Sequence, residues 1–168
     1  MSNDFSDLDI LMKLVVAALL SGVLGWEREV FGKQAGLRTH ILVGVSAAMF
    51  VGLGGALMEY FGRDDEDMQY DPIRVIEATV AAISFLGAGT IFVSRDRGET
   101  VKGLTTAAAL WATAGVGLAV GLGRFVLASG ATALIFVVLH LLGRLERRGL
   151  PGAAKAAREE KSPEDGEP

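Results

Sequence analysis

Two segments, Gly36-Leu37-Arg38-Thr39 and Gly103-Leu104-Thr105-Thr106, each stand where a charged stretch passes into a long apolar run. Threonine is a favourable helix N-cap, and Arg38 or Lys102 adds positive charge beside the first free amides of the helix that follows. Such a helix start suits a carboxylate, a phosphate or a lipid headgroup. The plainer reading is a capped helix with an ordinary interfacial base. A third stretch, Gly25-Trp26-Glu27-Arg28-Glu29, closes the first apolar run. Trp26 suits a headgroup belt, and Glu27 is placed to pair with Arg38 across the intervening loop, or to form a merely local salt bridge. In Ser84-Phe85-Leu86-Gly87-Ala88-Gly89, Gly87 and Gly89 weaken a helix or admit a neighbour's backbone. Asp71-Pro72-Ile73-Arg74 reads as a helix start: Asp71 caps, Pro72 suits the first turn, and Arg74 and Glu77 share a face at i, i+3. These last three form a second polar cluster, with Lys13 as its nearest candidate partner.

Other chemistry finds little support. There is no cysteine, which excludes disulfides, thiolate metal sites and cysteine catalysis. His40 and His140 fall near the ends of apolar runs and read as interfacial; two isolated histidines make no metal site. The run Asp64-Asp65-Glu66-Asp67 lacks the glycine and glutamate spacing of a calcium loop and reads as a solvated loop. No phosphate-binding glycine loop, nucleophile elbow or zinc-protease motif is present. The expectation is a protein that is not an enzyme, with no cofactor, no metal and no nucleic-acid partner.

The elements that position these residues are membrane spans. Of 168 residues 51% are hydrophobic, mean hydropathy is +0.41, and the apolar residues are clustered. Five spans are predicted: Ile10 to Trp26, Thr39 to Met58, Ala78 to Ser94, Gly103 to Gly123, and Phe125 to Gly143. The fold class is therefore all-α, a polytopic helical bundle in the membrane. Lys13 snorkels to the interface and Glu77 bounds the third span. A tight hairpin at Gly121-Leu122-Gly123-Arg124 parts the fourth span from the fifth, because one helix from Gly103 to Gly143 would be about 60 Å long, roughly twice the hydrocarbon core.

Lys and Arg sort by loop. Arg28, Lys33 and Arg38 lie between spans one and two, Arg95, Arg97 and Lys102 between three and four, and six more after the fifth. The other side holds Arg63, Arg74 and Arg124 among many acids, so the positive-inside rule puts the N-terminus outside and the C-terminus in the cytoplasm. No secretory signal is read in the acidic start, and the apolar run that follows stays as a span. Residues 8–143 form the membrane domain; 144–168 read as a charged cytoplasmic tail, disordered and too short for a domain.

Small residues recur every four positions, at Gly44, Ala48, Gly52 and Ala56 and at Gly115, Ala119 and Gly123, with Gly117 and Gly121 beside the second set. Such stripes allow close helix packing, or else a dimer face or a substrate path. A shift of 67 residues also lays Arg28, Gly36, Leu37 and Thr39 on Arg95, Gly103, Leu104 and Thr106, which suggests a parallel repeat.

Taken together, Gly25-Trp26-Glu27-Arg28-Glu29, Ala35 to Thr39, Asp71 to Arg74, Phe85 to Gly89, and Gly103 to Ala108 with Trp111 resemble the MgtC/SapB family of bacterial membrane proteins. The resemblance implies an inner-membrane protein tied to low-magnesium and stress adaptation, survival in host cells and, in one branch, inhibition of the F-type ATP synthase. Longer members carry a C-terminal domain of the ACT type. The short tail, Trp26 in place of a smaller residue, and Ala82 and Ser84 in place of glycines point to the SapB or YhiD branch. Four of the five motifs converge on the cytoplasmic side, giving a candidate cluster of Glu27, Arg28, Arg38, Thr39, Gly87, Gly89, Lys102, Thr105 and Thr106; Asp71, Arg74 and Glu77 form the periplasmic one. Two functions compete: a regulator or adaptor acting through helix contacts, as a homo-oligomer or on a membrane-protein partner such as the ATP synthase, and a small ion or solute transporter. The lipid bilayer is a partner in either case.

Overall fold

Long apolar runs satisfy their backbone polar groups internally by forming helices, and five account for most of the chain. The computed structural model describes residues 7–61, 72–94 and 100–148. Within these lie α1 (Asp7–Val30), α2 (Leu37–Phe61), α3 (Pro72–Ala88), α4 (Leu104–Gly121) and α5 (Phe125–Arg148). A short antiparallel ribbon, β1 (Phe92–Ser94) and β2 (Thr100–Lys102), links α3 to α4. Asp71, the acidic run 64–67, Arg95, Arg97 and the tail from 149 onward lie outside the described residues.

α1, α2 up to Met58, and α4 are long and apolar enough to cross a membrane. α3 has 17 residues, and the apolar part of α5 is Phe125–Leu141. The helices overrun the predicted spans at several ends: α1 extends to Val30 and α2 begins at Leu37. The third span falls short, and its last three predicted residues are β1. The helix stops because the Thr90 hydroxyl and amide both donate to the Gly87 carbonyl and the Ile91 amide donates to Ala88, closing a turn. Beyond it the β-branched pair Val93–Val101 holds the ribbon, with Phe92 opposite Lys102 and Ser94 opposite Thr100 in register. The break between α4 and α5 falls where it was expected. Gly123 takes a φ of 71°, and the Arg124 amide reaches back to the Ala119 carbonyl, the left-handed closure that glycine permits at a helix end.

The chain divides into two units, Met1–Phe136 and Val137–Pro168, and α5 runs from the first into the second. In the first unit α1 packs most extensively on α2, α2 on α4, and α3 on α4. The small-residue stripes are spent in these contacts. Gly44 faces Ser21 and Ala17 of α1, Gly52 faces Ile10, and Ala48 and Val51 receive Gly121 of α4. On α4 the packing pair is Gly117 and Gly121; Gly115, of the other stripe, has open space where a side chain would stand. Leu24, Leu110, Val116 and Val120 fill the interior and are fully buried. Hydroxyls along the helices are satisfied locally, Thr79, Ser84, Thr113 and Thr132 each donating to the carbonyl four residues back.

Candidate functional site

The C-terminal end of α1 is polar yet enclosed. Ser21, Gly25 and Arg28 lie on one helical face, and Ser21, Glu27 and Arg28 are all buried, Glu27 and Arg28 to 3% and 2% exposure. α2 comes close at Gly25, where an added Cβ would stand 2.8 Å from the Leu37 Cα and 2.9 Å from the His40 Cβ. Only glycine fits there. His40 is thereby fully buried, with its Nδ1 3.0 Å from the Gly36 carbonyl. If Nδ1 carries the proton it donates that bond, and Nε2 is left as an acceptor.

The two ions of this end are neighbours. A guanidinium nitrogen of Arg28 lies 3.8 Å from Oε2 of Glu27, and Arg28 is also within electrostatic reach of His40. Among the described residues, Ser21 Oγ, Glu27 Oε2 and His40 Nε2 are buried with no hydrogen-bond partner. The expected Glu27–Arg38 pair is not made, because Arg38 is exposed while Glu27 points inward.

The helix starts are capped differently from the prediction. At α2 the cap comes from Glu29, whose Oε2 accepts the Leu37 amide at 2.9 Å, and a side chain at Gly36 would collide with that carboxylate. Thr39 lies inside the helix. At α4 the cap position is Gly103, φ 93°, with no side-chain hydrogen bond; a side chain there would collide with the Thr90 carbonyl, so this glycine lets α4 start directly on the end of α3. Neither Thr39 nor Thr105 is an N-cap, because each helix begins one or more residues before it.

Where α2 begins and α3 ends, a cleft of about 380 Å³ is lined by Gln34, Ala35 and Thr39, by Leu86, Gly89, Thr90 and Phe92, and by Leu110 of α4. The fold thus brings Thr39 and Gly89 of the candidate cluster to one site. Gly87 is buried against Ala107 of α4, and Thr106 is buried. Arg38, Lys102 and Thr105 are exposed. Of the second cluster, Asp71 lies outside the described residues, and Arg74 and Glu77 are exposed on α3. Lys13 pairs instead with Asp9, one turn earlier, at 2.6 Å.

Sequence reasoning missed Ser21, Glu29, Gln34, His40 and Thr90. His40 is buried, which its reading as interfacial did not include; the available signal was its place four residues after Gly36 and four before Gly44, on the small-residue face of α2. Thr90 had no signal before the end of α3 was known. Among the described residues no three His, Asp or Glu side chains come together as a metal site.

Comparison with known proteins adds to this geometry. The MgtC family profile matches residues 14–148. The "Putative magnesium transporter YhiD" of Escherichia coli K12 is 34% identical over 144 residues, covering 83% of this chain and 63% of that protein. "Protein SapB" of Bacillus subtilis is 34% identical over 86% of this chain and 61% of its own length. "Protein MgtC" of Salmonella typhimurium LT2 is 38% identical over 82% and 54%. The chain spans about three fifths of the length of the curated relatives it matches. No solved structure matches it.

Proposed function

The chain belongs to the MgtC family, and from that premise we propose that it is a non-enzymatic module of the bacterial inner membrane that regulates membrane proteins through helix contacts. One observation carries this reading: the axis of the first unit is filled. Gly117 faces the Gly44 backbone and the Ala47 side chain, Gly121 faces the Ala48 backbone and the Val51 side chain, and Leu24, Leu110, Val116 and Val120 are fully buried nearby. A conduit needs polar groups lining a continuous wet path, whereas the α2–α4 contact is close-packed and the side chains that close it are apolar. Apolar side chains instead crowd the outer faces, Phe85 being 86% exposed and Val126 91%, where lipid or another helix covers them. The magnesium link rests on the names of its relatives.

The test is flux. Full-length protein reconstituted in liposomes should pass no magnesium, protons or potassium under a driven gradient, while crosslinking in membranes should capture a second copy or a membrane protein, the F-type ATP synthase being the first to examine. Driven flux, or capture of neither, overturns the reading.

A transporter is the second reading, favoured by one observation. Ser21, Glu27, Arg28 and His40 are buried between two membrane-spanning helices, and ionisable groups so placed often mark ion paths. The name of the E. coli relative agrees with it. In that case Glu27→Gln should abolish the flux.

A further inference from the structure

We infer that the cleft between the start of α2 and the end of α3 seats an anionic phospholipid, its headgroup at the mouth and the first methylenes of a chain against the walls. The walls are amphipathic. Leu86 and Phe92 supply the exposed apolar surface, and Gln34, Thr39 and Thr90 supply amide and hydroxyl groups. A volume of about 380 Å³ falls at the small end of the range of ligand pockets, enough for a headgroup and a short length of chain.

Charge selects the kind of lipid. Lys33 precedes Gln34 and Arg38 precedes Thr39, and both bases are exposed. Lys102 is paired with Phe92 across the ribbon and is exposed; directly paired residues of an antiparallel ribbon share a face, so its ammonium stands on the side of the cleft wall. Among the described residues the carboxylates of the same end are turned elsewhere, Glu29 onto the Leu37 amide and Glu27 into the interior beside Arg28. The described charged groups left around the mouth are bases.

Position supplies the rest. The cleft opens where the spanning helices α2 and α4 begin, which is the depth of the headgroups. Basic pockets between membrane helices at that depth take anionic lipid headgroups. A free phosphate would meet the bases but leave Leu86 and Phe92 bare; a lipid covers both. The inference does not depend on whether the protein regulates or transports.

Native mass spectrometry tests it on the full chain, released from vesicles of equal phosphatidylglycerol and phosphatidylcholine. One phosphatidylglycerol should be retained in preference, and a base near an anionic headgroup is worth about fivefold, so K33Q/R38Q/K102Q should lower the preference by about tenfold or more. These side chains are exposed, and an unchanged circular dichroism spectrum shows that the variant is folded. Thr39→Trp, which keeps the bases and fills the cleft, should lose the retained lipid as well. No preference in the unaltered protein, a preference that survives both variants, displacement of the lipid by millimolar inorganic phosphate, or a second protein copy crosslinked through the cleft would each overturn the inference.

Discussion

Taking Glu27 and Arg28 out of water costs several kcal/mol per ion, so each needs compensation inside. The short separation between their charged groups, 3.8 Å, supplies part of it. Removing one member of such a pair leaves an uncompensated buried charge, and Glu27→Gln should cost about 3 kcal/mol, read from unfolding in a detergent titration. Arg38→Gln, at an exposed position, should change stability by less than about 0.5 kcal/mol. Equal losses would restore the Glu27–Arg38 pair that the sequence suggested. Glu29→Ala, which removes the acceptor for the Leu37 amide, should cost about 1 kcal/mol, the usual worth of an N-cap. The sequence offered Glu27 either Arg38 or a merely local salt bridge; the structure has the local one, with Arg28, and the reason is angular. Because α1 continues to Val30, Glu27 and Glu29 point about 200° apart around it. One faces the interior and the other faces the start of α2, which a chain leaving the helix at Trp26 would not have imposed.

At the scale of elements, the glycine of α4 divides into two kinds that composition alone cannot separate. A Cβ at Gly121 would come within 2.7 Å of the Val51 Cβ and 2.9 Å of the Ala48 carbonyl, whereas one at Gly115 would meet nothing within 4 Å. Gly121→Ala should therefore push α4 from α2 and cost about 1–3 kcal/mol, while Gly115→Ala should be neutral or stabilise by up to about 1 kcal/mol through helix propensity. Thermal unfolding of the two variants in one detergent decides it; matching losses would mean that the α2–α4 contact is not made through this face. The helical spans and the break at Gly123 were legible because long apolar runs and a glycine between them leave few alternatives. The ribbon was not. Ile91-Phe92-Val93 continues the apolar run of α3, and a short apolar segment reads alike as helix or strand until its partner, here Thr100-Val101-Lys102, is known. The starts of α2 at Leu37 and α4 at Leu104 are 67 residues apart, as a repeat requires, yet the two starts are built differently, one capped by a carboxylate and the other turned on a left-handed glycine.

For the whole molecule, the cleft constrains how many times the chain crosses the membrane. Gln34 and Thr39 come from the α1–α2 connection, Thr90 and Phe92 from the α3–α4 connection, and they line one space. Both connections therefore lie at the same end of the bundle. If α2 crosses, α3 must cross back to bring Thr90 there, although its 17 residues span only about 26 Å; local thinning of the bilayer or snorkelling at the flanks absorbs a mismatch of that size at modest cost. α4 then crosses again, which puts Arg124 at the opposite end. The positive-inside rule predicts from the bases of the shared end, Lys33, Arg38 and Lys102, that it is the cytoplasmic one. The chain has no cysteine, so single cysteines report without background. In intact cells a membrane-impermeant maleimide should label Arg124→Cys and spare Lys33→Cys and Lys102→Cys, and all three should react after lysis. The relation between Lys33 and Lys102 is the sharper readout, because it does not depend on the charge rule. Labelling of one and protection of the other would mean that α3 fails to cross and that the two walls of the cleft cannot meet.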